Sequence, residues 1–271
     1  MIIGINGKIG TGKDTVGKII QYLTDEYAVK DKLTYNEWLK EYYEIEEGNN
    51  KTASSWAVKK FADKLKDIVC LLLDCTREQL EDREFKEKEL GEEWNYVLQD
   101  GIPLTVDQAK RDKEFPFNER YIQRLTPRLL LQLLGTDCGR DIIHPNIWVN
   151  ALMAEYVLDS GKVIEPISKE NKDKYPIGFA PIMQEYHREP RFPNWIITDM
   201  RFPNEIEDIR SRGGITIRVN RYHITGQGKL NPHSSETALD DAEFDYEIIN
   251  DGTIEDLIKK VKKVLLKEKL I

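Results

Sequence analysis

The run Gly7-Lys8-Ile9-Gly10-Thr11-Gly12-Lys13-Asp14-Thr15 combines glycines, lysine and side-chain oxygens at a spacing suited to holding a polyphosphate. A densely negative string of phosphates is gripped by backbone N–H groups brought very close, and Gly7, Gly10 and Gly12 lack the Cβ that would hold the backbone off. Lys13 adds a mobile positive charge for the two outer phosphates. The position after the lysine, where Ser or Thr often holds magnesium, is Asp14, and Thr15 follows it. A carboxylate binds magnesium directly or through water, so the expected ligands are ATP and Mg2+, with the metal contact open between Asp14 and Thr15.

Moving the outermost phosphoryl group needs an acceptor in line and cations to neutralise the charge that spreads over its oxygens. Arginines at the ends of expected elements suit that task through their bidentate forks: Arg83, Arg128, Arg140 and Arg201. Each also fits an ordinary surface salt bridge. Asp199 ends the apolar run Trp195-Ile196-Ile197-Thr198, where it suits a magnesium-bound water, the acceptor, a helix cap or a partnership with Arg201. Glu205 fits a polar wall or a favourable charge in a first helical turn. Trp148 fits a stack on a nucleobase or a place in the core. His144, His187, His223 and His233 lack metal-ligand spacing, no nucleophile elbow supports a hydrolase, and His233-Ser234-Ser235-Glu236 suits a helix cap or a closing loop.

The elements that must position these residues alternate. Met1–Ile5 reads as a strand that feeds the glycine loop, and a helix over about Lys13–Asp25 turns Val16, Ile19, Ile20 and Leu23 to the sheet. The stretch 31–52 reads as an exposed helical insertion ending in a turn at Gly48-Asn49-Asn50. A strand at Ala57–Ala62 precedes a helix capped by Asp63, with Leu65, Ile68, Val69 and Leu72 at helical spacing, and Thr76 with Gln79 spells a capping box. The segment 92–124 lacks a long period and reads as an insertion or mobile cap. Thr126-Pro127 opens a helix that Gly135 is expected to stop, and Asn146–Leu158 reads as helical. A proline-rich insertion at 162–193 holds two short strands. Strands at Trp195–Thr198, Ile215–Val219 and Tyr246–Ile249 follow, with a helix over Asn204–Arg212 and a last one capped by Thr253. Such alternation implies a parallel sheet covered on both faces, with ligands at the strand C-termini.

A chain of 271 residues, 40% apolar and 32% charged, can bury a full core. No apolar run approaches the ~20 residues that span a bilayer, and the N-terminus lacks the look of a secretion signal. A formal charge of −8 disfavours a broad nucleic-acid interface while allowing a small anionic substrate. Cys70, Cys75 and Cys138 fit neither a metal site nor a disulfide framework, which suits reduced thiols in a cytoplasm.

Taken together the motifs resemble those of the deoxynucleoside monophosphate kinases of tailed bacteriophages. The resemblance rests on Gly-Lys-Asp-Thr at 12–15, Lys66-Asp67, Arg83-Glu84, Arg128 through Gln132-Leu133-Leu134-Gly135-Thr136-Asp137, and Trp148-Val149. It continues through Asp199-Met200-Arg201 with Glu205, Gly213-Gly214, Ile217, Val219, His233 with Glu236, and Ile249-Asn250-Asp251-Gly252. Segments 31–52, 92–124 and 162–193 are not matched. The resemblance implies a single P-loop NTPase domain of α/β class, adenylate kinase-like, with helices on both faces of a parallel sheet and insertions. It implies ATP as donor, a deoxynucleoside monophosphate as acceptor, and a soluble host-cytoplasmic enzyme, with room for a homodimer. Gly7, Gly10, Thr11, Gly12, Lys13, Asp14 and Thr15 then face ATP and its metal. Arg83, Arg128, Trp148, Asp199, Arg201 and Glu205 face the acceptor, and Lys13, Arg128, Asp199 and Arg201 carry the chemistry. A dephospho-coenzyme A kinase-like enzyme is a competing reading, as is a P-loop ATPase or switch. Asn171-Lys172-Asp173-Lys174 fails the guanine motif at its last position, and Met200 after Asp199 departs from a motor's Asp-Glu.

Overall fold

The computed structural model describes residues 1–46, 54–166, 183–187, 189–221 and 237–271. The strands, in chain order, are β1 (Ile2–Asn6), β2 (Trp56–Lys59), β3 (Tyr96–Gln99), β4 (Ile102–Thr105), β5 (Lys162–Pro166), β6 (Met183–His187), β7 (Asn194–Ile197), β8 (Ile215–Asn220) and β9 (Tyr246–Ile249). The helices are α1 (Lys13–Leu23), α2 (Glu26–Lys30), α3 (Tyr35–Glu46), α4 (Asp63–Leu73), α5 (Arg77–Glu81), α6 (Arg83–Glu87), α7 (Val106–Arg111), α8 (Pro127–Gln132), α9 (Ile147–Met153), α10 (Pro203–Ser211) and α11 (Ile254–Lys267). The chain forms two compact units, one of residues 1–59 with 153–271 and one of residues 60–152.

The first unit is built on a five-stranded parallel sheet of order β2-β7-β1-β8-β9. Its central strands read as unbroken apolar runs because both faces are covered: Ile2, Ile3, Ile5, Ile196, Ile197 and Ile217 are fully buried. The side-chain alternation of β1 assigns the two layers. Ile3 and Ile5 join Val16, Ile19 and Ile20 of α1 and Leu257, Val261, Val264 and Leu265 of α11 in one cluster. Gly4 faces the opposite way, where a Cβ would come within 2.6 Å of Ile209 Cδ1 on α10. Register pairs Ile3 of β1 with Ile196 of β7 and Ile215 of β8, so the three innermost strands run in the same direction side by side. An antiparallel hairpin of β5 and β6 supplies the two short strands expected in 162–193.

Residues 31–46 include the expected helix, but one of its faces is buried. Trp38 of α3 is fully buried, its indole N–H donates to Asp25 Oδ2 at 3.1 Å, and Tyr35 stacks on it with ring centroids 6.2 Å apart. Asp25 also caps α2 by accepting from Tyr27 and Ala28 N–H. A polar composition concealed two aromatic residues on one helical face that pack beside α1. The turn at Gly48-Asn49-Asn50 lies outside the described residues.

The second unit departs from expectation in three places. Ala62, not Asp63, holds the cap position of α4; Asp63 is the first helical residue and accepts from Lys60 N–H at 3.1 Å. Of the four apolar residues spaced along α4, Leu65 and Val69 are buried while Ile68 and Leu72 are exposed. Residues 92–124 contain an ordered antiparallel hairpin of β3 and β4, turning at Asp100-Gly101, where φ is 51° and 81°. Two successive positive-φ residues match a tight hairpin turn, and Asp-Gly between strand-forming runs is its sequence signal. Gly135 does not stop the helix that α8 begins. The chain widens instead into a π-helix over Leu133–Ile143. Gly135 and Gly139 fit there because a Cβ on the first would lie 2.8 Å from Leu65 Cδ2 and on the second 2.5 Å from Leu134 O. The capping box of Thr76 and Gln79 forms as expected.

Lys66 and Lys86 both bind Glu81. Burial alone would raise the Glu81 carboxyl, but hydrogen bonds and charge from these two lysines outweigh it and lower the group from 4.5 to about 2. A depressed carboxylate contributes fully above its unfolded value and loses that contribution as the pH falls through its folded one. Stability of the wild type should therefore fall between pH 4.5 and about 2 more steeply than that of Glu81→Gln, followed by urea unfolding at stepped pH. Trp38→Ala should cost about 3–5 kcal/mol in the same measurement at neutral pH, since it empties a fully buried aromatic site.

Candidate active site

β1 ends at Asn6, and the chain turns through Gly7–Gly12 directly into α1. Gly10 and Gly12 take positive φ, 81° and 92°, so a side chain at either would be strained. Gly7 is needed for closeness rather than conformation, as a Cβ there would meet Val219 O of β8 at 2.8 Å. The loop is closed on itself by Thr11, whose N–H and hydroxyl both donate to Lys8 O, at 3.2 and 2.9 Å. No side chain caps α1 at its Gly12 N-cap. Its first turn thus presents backbone donors at the positive end of a helix dipole, with Lys13 as the first helical residue, which is a fit for a phosphate chain.

Asp14 and Thr15 follow in that turn. Asp14 Oδ1 accepts a hydrogen bond from the hydroxyl of Thr198 at 2.9 Å, and Thr198 is 1% exposed at the end of β7. One carboxylate oxygen is thereby oriented by a buried residue of the neighbouring strand. Among the described residues no cluster of three or more His, Cys, Asp or Glu could hold a metal ion. That donor set suits magnesium, which takes one or two protein oxygens and completes its shell from phosphates and water.

The segment after β7 is set by two contacts. Asn6 Nδ2 donates to Met200 O at 2.8 Å, tying the C-terminal ends of β1 and β7 together. Glu205 is 1% exposed and accepts from the backbone N–H of Arg201 at 2.6 Å and of Phe202 at 3.0 Å. Glu205 is therefore a buried cap of α10 rather than part of an open polar wall. Asp199 is half-buried, and the Arg201 side chain is exposed with no hydrogen bond or ion pair among the described residues. In this unit the structure brings together Gly7, Gly10, Thr11, Gly12, Lys13, Asp14, Thr15, Asp199, Arg201 and Glu205 at the C-terminal end of the sheet. That end is where parallel sheets bind ligands.

Arg83, Arg128 and Trp148 fall in the second unit. Arg83 opens α6 and is exposed. Arg128, near the start of α8, forms an ion pair with Glu87 of α6, which brings the two arginine-bearing helices side by side. Trp148 is 7% exposed, its indole N–H donates to Gly135 O at 2.7 Å, and it packs with Leu65, Val69, Leu80, Leu125 and Leu130. Its ring is core, so a stack on a nucleobase is not the arrangement seen. Thr198, Asn6 and Asn250 carry no site role that their position in the sequence announces. Asn250 Nδ2 donates to Thr11 O at 2.8 Å. Only the strand order places these three beside the glycine loop. His223, His233 and Glu236 lie outside the described residues.

A parallel sheet whose central strand runs through a glycine turn into a helix defines the P-loop NTPase fold. A model of the deoxynucleotide monophosphate kinase family matches residues 179–261. The deoxynucleoside-5′-monophosphate kinase of Escherichia phage T5 is 24% identical over 92% of this chain and 89% of its own length. The deoxynucleotide monophosphate kinases of Escherichia phage RB69 and Enterobacteria phage T4 are 35% and 28% identical over 51% of this chain. That match spans 44% of each of those two relatives, under half of their length. The chain is thus similar to the phage deoxynucleotide monophosphate kinases, in part of its length to the family model and over most of its length to the T5 enzyme.

Removing the Thr198 hydroxyl tests the orientation of Asp14. Thr198→Val should weaken binding of magnesium-nucleotide roughly tenfold to a hundredfold, the scale of one hydrogen bond to a charged group, with Thr198→Ser close to wild type. Titration calorimetry with magnesium and a non-hydrolysable ATP analogue reads the difference.

Proposed function

We propose that the chain transfers the γ-phosphoryl group of ATP to a deoxynucleoside 5′-monophosphate, releasing ADP and the deoxynucleoside diphosphate used as a phage DNA precursor. The observation that carries the reading is the uncapped N-terminus of α1 behind a turn with two positive-φ glycines. We take residues 1–271 as one kinase domain carrying insertions. The reading has it act on free nucleotides in the host cytoplasm, without nucleic acid or membrane, and it allows a homodimer. Among the described residues no helix is long and apolar enough to cross a membrane.

In this reading the backbone N–H groups of the glycine turn and Lys13 hold the donor phosphates, and Lys13 follows the charge onto the transferring group. Asp14, steadied by Thr198, and Thr15 hold magnesium; the metal neutralises phosphate oxygens when bound. Arg83, Arg128 and Arg201 grip the acceptor phosphate, which as an oxyanion is already a nucleophile and needs only alignment. Asp199 orders water or the acceptor at the end of β7. Glu205 acts through Arg201, because its carboxylate fixes the backbone from which that guanidinium reaches. Trp148 acts by holding the Gly135 carbonyl and the π-helix that follows α8.

Incubation with ATP, magnesium and each deoxy- and ribonucleoside monophosphate, with product separation, tests the reading; no diphosphate from any acceptor would end it. Lys13→Ala should abolish turnover while circular dichroism stays native. Arg201→Ala should raise the acceptor KM or lower kcat by roughly tenfold to a hundredfold with ATP affinity unchanged, the scale of a lost charge-assisted contact.

A further inference from the structure

A glycine turn offers donors to an anion only if something else prevents its peptides from rotating. Gly10 and Gly12 have no Cβ to limit φ and ψ, and Gly12 sits at φ 92°, a region open to glycine alone among easy choices. The self-closing bonds of Thr11 hold the near side of the turn at Lys8. They leave the peptide between Thr11 and Gly12 to be held by some other group.

Asn250 meets that peptide. It follows β9, its Nδ2 donates to Thr11 O at 2.8 Å, and a Cβ on Gly12 would lie 2.5 Å from the same nitrogen. In a trans peptide the carbonyl and the following N–H point in opposite directions, so pinning the Thr11 carbonyl sets the direction of the Gly12 N–H. Asn250 is itself anchored. Its backbone N–H donates to Asn220 O at 2.7 Å, at the end of β8. Lys260 of α11 reaches back to Ile249 O at 2.6 Å and Asp251 Oδ1 at 2.8 Å, one residue on either side.

We propose that Asn250 is a positioning residue for the phosphate-binding turn, an amide that locks the Thr11–Gly12 peptide in the orientation that binds the donor nucleotide, with Lys260 locking Asn250 from behind. The role rests on the kinase reading above, but the lock exists in the nucleotide-free protein and is measurable there. It also explains the length of the side chain. Asp would keep the shape while turning an acceptor toward a carbonyl, and Gln would carry the amide past its mark against a glycine already in contact.

Two measurements test it. Hydrogen exchange of the free protein, read on peptides covering residues 7–16, should be faster in Asn250→Ala and faster again in Asn250→Asp, while peptides from β7 and α10 keep the wild-type rate. Affinity for ATP should fall roughly threefold to tenfold in Asn250→Ala, with the acceptor KM and the melting temperature unchanged. Lys260→Met, which leaves the amide in place, should move both readouts in the same direction by less, and it serves as the deciding variant if Asn250→Ala does not fold. Unchanged exchange over 7–16 overturns the proposal, as does a uniform loss of stability with no preference for the turn. A wild type that binds no ATP would sink the kinase reading alone, since the exchange result still decides whether Asn250 holds the turn.

Discussion

The structure depends on a glycine turn that runs straight into a helix with no side chain at its cap position. Thr76, Asp82, Thr105, Thr126 and Thr253 cap their helices with side-chain oxygens, whereas α1 begins at Gly12 with none. The positive end of a helix favours an anion, and a glycine at the cap leaves room for one to approach the backbone. The surrounding fold holds that end by burying the strand before the turn on both faces and by packing α1 beside α11 on one face of the sheet.

Holding that exposed end steady falls to polar residues that do no chemistry themselves. Thr198 orients Asp14 from β7, Asn250 pins Thr11 from the loop after β9, and Asn6 joins the ends of β1 and β7 through Met200 O. Each bond is short and each partner lies on a different strand, so the spacing of the strands is transmitted to the turn. Asp245 does the same lower in the sheet, accepting from the Thr216 backbone and hydroxyl at 2.8 and 2.6 Å, which together with Arg210 hold its carboxyl below the usual carboxylate range although burial opposes this.

In the second unit the same economy of polar groups shapes a helix rather than a loop. The π-helix after α8 is wide enough to bring the Gly135 carbonyl to the Trp148 indole, and Arg140 is 9% exposed within it, donating to Pro145 O at 3.2 Å. Wide helical turns of this kind recur at functional sites because they displace carbonyls from the regular ladder. Here the displaced carbonyl is taken by an indole N–H, and the glycines admit the close packing that results.

Local chemistry determined a good deal from the sequence alone. The glycine turn, the strand before it and the helix after it follow from residue type and spacing within a few positions. So do the buried run at Trp195–Thr198, the capping box at Thr76, the N-cap at Thr253 and the parallel sheet implied by the alternation. Residues whose role is set by a distant partner were not legible. Trp38 reads as part of a charged stretch until Asp25 and α1 enclose it, Glu205 reads equally as a site carboxylate or a first-turn charge until two backbone N–H groups occupy it, and Trp148 as a core residue or a stacking ring until Gly135 takes its N–H. Thr198 and Asn250 lie 184 and 239 residues from the atoms they hold, and no periodicity carries that distance. Only the packing of β7 and β9 on either side of β1 and β8 brings them there, because in a parallel sheet neighbours in space are joined by long crossovers and the side chains at one strand's end are chosen by the next.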